Sequence, residues 1–143
     1  MNSALILAQV FSCCFLTGVI WIVQILIYPN FKFVGKTEFQ NFHNFHTNRI
    51  TWIVAPLMGM ELFSAIALLL SHQNALYLYN LISILLIWGL TGFVNIPSHR
   101  NLTFEVEKTK QRLVACNWLR TIVWSLRSLF WLWMINEMLN VRT

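Results

Sequence analysis

ITWIVAPLMGMELFSAIALLL, residues 50–70, holds one charged side chain, Glu61, in an otherwise apolar run. A helix of ~20 apolar residues crosses the hydrocarbon core of a bilayer, so this stretch predicts a membrane span. Residues 5–28, 76–96 and 114–138 read the same way, the first and second of these being stopped by Pro29 and Pro97. Proline lacks a backbone donor and clashes with the preceding turn, which is why it ends them. The four segments take up most of the 143 residues. They predict an all-α fold: a transmembrane four-helix bundle forming a single integral membrane domain. The short connection 71–75 makes the second and third spans an antiparallel hairpin.

Composition supports this class. The chain is 57% hydrophobic and 10% charged, with a mean hydropathy of +0.61. A soluble domain carries about 25% charged residues, so an ordinary cytosolic domain and a disordered chain are excluded. The net charge of +5 comes from scattered basic residues. They form no phosphate-tracking stripe, which excludes a nucleic-acid partner. Cys13, Cys14 and Cys116 form no Cys-x-x-Cys pair and read as small core hydrophobes. The start of the chain has no basic residue before its long apolar run, so the first segment is expected to remain as a span.

Lysine and arginine counts in short loops set orientation. Lys32, Lys36 and Arg49 follow the first span, and Arg100, Lys108, Lys110 and Arg112 follow the third, against only Arg142 at the opposite side. The long loops are therefore expected in the cytoplasm and both termini outside. Between the first two spans, Phe31, Phe33, Phe39, Phe42 and Phe45 alternate with Lys32, Lys36 and Glu38. That mixture predicts an amphipathic interfacial segment, able to run on into the second span as one helix.

Charges inside a bilayer are costly and mark candidate functional positions. Glu61 lies about 16 Å into the second span at ~1.5 Å per residue, with Arg120 and Arg127 at bracketing depths in the fourth. Glu61 is expected to pair with one or both, and these three are the candidate catalytic residues; a register-fixing ion pair is the alternative. Asn117, Arg120, Thr121, Trp124, Arg127, Ser128 and Trp131 recur at helical spacing on one stripe. So long a stripe suggests a polar cavity, with Gln24, Asn117 and Trp124 as candidate substrate-binding residues. Trp21, Trp52, Trp118, Trp131 and Trp133 read as interfacial anchors. His43 and His46 share a helical face, and His99 follows the third span. Together they are a candidate site for zinc, iron or copper, or else histidines facing headgroups. A straight second helix keeps Glu61 about 22 Å from His46, too far to join that site.

The run Asn95-Ile96-Pro97-Ser98-His99-Arg100-Asn101-Leu102, with Asn117-Trp118-Leu119-Arg120-Thr121 beyond it, resembles the motifs of the anthrone-oxygenase-like family within the broader DoxX-like group. His99 stands where that family usually has Asn. The resemblance implies a four-helix membrane bundle and, from some fungal members, oxygenation of aromatic polyketides. It transfers no metal or flavin site. Two functions follow as expectations: an oxidoreductase or oxygenase acting on a hydrophobic aromatic or quinone-like substrate, or a non-enzymatic protein that binds or transports a lipid or small solute. The second requires a homo-oligomer if it transports, because four helices are few for a monomeric transporter.

Overall fold

A computed structural model describes residues 3–95 and 106–140. These residues fold into four long helices: α1 (Ser3–Ile22), α2 (Phe39–His72), α3 (Ala75–Asn95) and α4 (Val106–Asn140). α1 continues through a π-helical turn, Val23–Ile27, and then a 3-10 turn, Pro29–Phe33. The π turn is closed by the Tyr28 N–H donating to the Val23 carbonyl at 3.0 Å. Pro29 has no N–H to extend this ladder, and its fixed φ suits the first position of the tighter turn.

α1 packs against α2 and α4, and α3 packs against the same two. The helices thus form a square in which α1 faces α3, and α2 faces α4, across the bundle axis. The α2–α3 hairpin is sealed by two residues. Gln73 adopts a left-handed conformation (φ 44°) and donates to the Leu69 carbonyl at 2.8 Å. The Asn74 side chain then accepts from the Leu76 N–H at 3.0 Å, capping α3.

Ser3–Phe33, Phe39–His72 and Ala75–Gly92 are long and apolar enough to cross a membrane. α4 has the length but not the mean apolarity. Its Asn, Arg, Thr and Ser side chains, gathered on one stripe, lower its hydropathy below that of a span. They face inward: Asn117, Arg120, Thr121, Trp124, Arg127, Ser128 and Trp131 are all buried. The opposite face of α4, with Leu119, Ile122, Leu126 and Leu129, is exposed, as are Leu7, Phe11, Phe63 and Leu85 on the other helices. Apolar surface outside and polar groups inside is the arrangement expected where the surroundings are lipid and unsatisfied polar groups are costly.

The segment between the first two helices differs from a separate interfacial element. Its first half is the 3-10 turn, and from Phe39 onward it is already α2, which runs unbroken through Pro56. Phe31 and Phe39 are buried, whereas Phe33 and Phe45 are exposed. Phe31 packs on Tyr28, Phe39 and Phe42 with ring centroids 4.9, 5.2 and 6.0 Å apart. These rings close one end of the bundle. Lys110 on α4 donates to the Val34 carbonyl at 3.2 Å and lies 5.3 Å from the Phe39 ring. The basic residues of the first loop and those at the start of α4 therefore share one end.

Candidate functional site

Glu61 is fully buried at the bundle axis. Arg127 reaches it across the α2–α4 diagonal, with Nη1 2.5 Å from Oε1. The second Arg127 amino group donates to Asn80 Oδ1 on α3 at 2.9 Å, and Trp131 Nε1 donates to the same oxygen at 3.3 Å. Trp124 Nε1 lies 3.5 Å from Glu61 Oε2. One turn further along α2, Ser64 donates to Gln9 Oε1 of α1 at 2.8 Å. All four helices thus contribute to one polar layer. Thr17 and Ser128 join α1 to α4 beside it, with hydroxyl oxygens 2.6 Å apart.

Arg120 lies seven residues earlier on α4, about 10 Å along the axis at ~1.5 Å per residue, and it is arranged differently. It is buried, yet no acid among the described residues lies within ion-pair distance of it. Its Nη2 donates to Asn117 Oδ1 at 2.9 Å and to Tyr28 Oη at 3.4 Å. Asn117 in turn donates to Gln24 Oε1 at 2.6 Å. The π turn places Gln24 and Tyr28 in this chain of bonds. Wide turns of this kind recur at functional sites because they re-aim side chains.

Arg120 and Asn117 border a cavity of about 100 Å³. Tyr28, His43, His46, Thr47, Thr51, Thr91 and Trp124 supply the rest of its polar or aromatic wall, and residues such as Leu16, Val19, Ile20, Val54 and Met58 an apolar one. The pairing of Glu61 expected from depth is made with Arg127. Arg120 instead lines the same cavity as the two histidines, which the sequence places in a separate group at the rim. The Arg120 Nε and His43 Nδ1 atoms are buried without a hydrogen-bond partner among the described residues. Burial pushes the His43 imidazole below its ordinary value; His46 is lowered by burial and then by His43.

The metal site finds no support. Among the described residues no three His, Cys, Asp or Glu side chains come together as metal ligands. His43 is instead stacked on Phe39, with centroids 5.9 Å apart. His99 lies outside the described residues, as does most of the Asn95–Leu102 motif. Trp131 corrects the reading of it as an interfacial anchor: it is 0% exposed. α4 continues to Asn140, so Trp131 stands well inside the helix. Gln9, Tyr28 and Asn80 belong to the polar system without having been singled out. A lone amide inside an apolar run, as at Gln9 and Asn80, is the signal that points to them. Neither a family model, nor a curated protein, nor a solved structure matches the chain.

Proposed function

We propose that this chain is a four-span integral membrane protein whose bundle binds a small hydrophobic molecule bearing a carbonyl or acidic oxygen. The observation that carries this is a buried arginine on a cavity wall with no counter-charge among the described residues. A guanidinium is always ionised and its planar fork suits oxygen pairs. A cation at such a place is costly unless something offsets it. The Glu61–Arg127 pair balances its own charge and serves the bundle, so Arg120 is the cation left to meet a ligand. Gln24, Asn117 and Tyr28 hold its side chain, and Trp124 offers an aromatic wall. The motif resemblance would make the ligand an aromatic or quinone-like substrate of an oxygenase-type enzyme; binding is the part that the cavity itself supports.

α4 counts as the fourth span because its charges face inward while its lipid-side face is leucine and isoleucine. With the basic residues at one end, the termini lie on the non-cytoplasmic side. Reporter fusions after Gln73 and at the C-terminus should both register there; a cytoplasmic signal from either would overturn the topology.

Binding is tested by titrating menadione, a hydrophobic aromatic dicarbonyl, into the protein in lipid nanodiscs while following tryptophan fluorescence. Saturable quenching is expected, because Trp124 borders the cavity. It should be lost in Met58→Trp or Val54→Phe, which fill the space. Non-saturable quenching, identical in both variants, would show partition into lipid alone and end this reading.

A further inference from the structure

Arg120 and His43 come from different helices and line the same cavity, and Arg120 Nε and His43 Nδ1 are buried without partners among the described residues. Arg120 is more than nine-tenths buried, and its Nε–H can only donate. Asn117 and Tyr28 satisfy part of the guanidinium but carry no charge to offset it. A neutral carbonyl would accept a hydrogen bond and leave the charge uncompensated. A single anionic group does both.

Building on the binding reading above, we propose that the occupant is an amphiphilic monocarboxylic acid, bound as its anion, with the carboxylate between Arg120 and His43. Its alkyl or aryl body lies along Ile20, Val54 and Met58. A carboxylic acid is already ionised at neutral pH, whereas a phenol with its pKa near 10 is not. Position agrees with an amphiphile. α2 is about 51 Å long at ~1.5 Å per residue, longer than the ~30 Å hydrocarbon core, so its first turns reach the headgroup region. The cavity spans that level, from His43 to Met58, at the end where Lys32, Lys36 and Lys110 collect. Thr51 is exposed and Ile50 and Val54 are half-buried, which leaves the body a way out along α2.

The same geometry couples binding to a proton. The groups around His43 are His46 on its own helix, Tyr28 beyond the π turn, Arg120 on α4 and the stacked Phe39 ring, over which Lys110 of α4 lies. None is an acid, and burial disfavours the charged imidazole in the empty site. An anion beside Nδ1 reverses the preference and favours protonation from solvent. Affinity for the acid should therefore rise as pH falls from about 8 to about 6, while the ligand itself stays ionised.

The test is calorimetric titration of the full chain in zwitterionic nanodiscs with 4-butylbenzoate and its methyl ester. The acid should bind at least about tenfold more tightly than the ester. Arg120→Gln should erase that preference while ester binding is kept, which also shows that the variant is folded. His43→Ala should remove the rise at lower pH. Equal binding of acid and ester, or an acid preference that survives Arg120→Gln, overturns the proposal yet leaves saturable menadione binding intact. An unchanged pH profile in His43→Ala overturns the assignment of the carboxylate to His43. Failure of all three ligands to bind defeats the underlying reading as well.

Discussion

Replacing Glu61 by alanine will destabilise the folded bundle by about 3–5 kcal/mol, the cost typical of stranding one partner of a buried ion pair. The Glu61 and Arg127 side chains are 1% and 7% exposed, so water cannot take over the role of the missing carboxylate. Asn80 still accepts from Arg127, but it brings no charge. Replacing both residues by leucine should restore most of the loss, since matched removal of a buried pair is often close to neutral. Unfolding in denaturing detergent, compared across wild type, the single variant and the double variant, measures this directly. A loss below about 1 kcal/mol, the scale of exposed pairs, would show that the pair is solvated and not a buried clasp.

Trp131→Ala should cost a similar amount, about 3–5 kcal/mol, and Trp133→Ala almost nothing. Trp131 is fully buried, and removing its indole leaves a large hole that the surrounding helices can close only in part. It also removes a donor from Asn80 Oδ1, the oxygen that orients Arg127. Trp133 is 56% exposed and projects away from the axis. Exposed substitutions away from special features usually stay within about 0.5 kcal/mol. The same unfolding assay separates the two tryptophans. Equal losses would mean that the inward face of α4 has been misassigned by one third of a turn.

The polar stripe of α4 was legible in the sequence because charges in an apolar helix are confined to the side that faces protein. Seven residues at helical spacing leave little freedom in which face turns inward, and all seven are buried. Pairing of Glu61 with an arginine followed from the same constraint, although rise per residue alone could not choose between Arg120 and Arg127. That choice depends on which helices sit diagonally, a tertiary fact with no local trace. The union of His43 and His46 with Arg120 was hidden for a related reason. Distances along one helix separate the histidines correctly from Glu61, but they say nothing about which part of α4 lies alongside them. Trp131 was misplaced because its distance from the basic loop suggested a span end, while the helix in fact runs on to Asn140. Gln9 and Asn80 bear no charge and so stood out less than the arginines, although an amide at that depth also demands partners.

The π-helical turn at Val23–Ile27 makes the first helix a two-phase element. One residue of α-helix turns the chain by about 100°, and the wide turn absorbs one residue without a matching rotation. Gln9, Leu16 and Ile20 upstream keep time with the core in ordinary helical phase, while Tyr28 and Phe31 downstream keep time with it in a shifted one. Losing a single residue within the turn would therefore let it close into an ordinary α-turn with both parts of the helix still seated, whereas losing one on either side of it would rotate everything beyond by about 100°. The wide turn is thus the one place along this helix where a change of length need not become a change of direction.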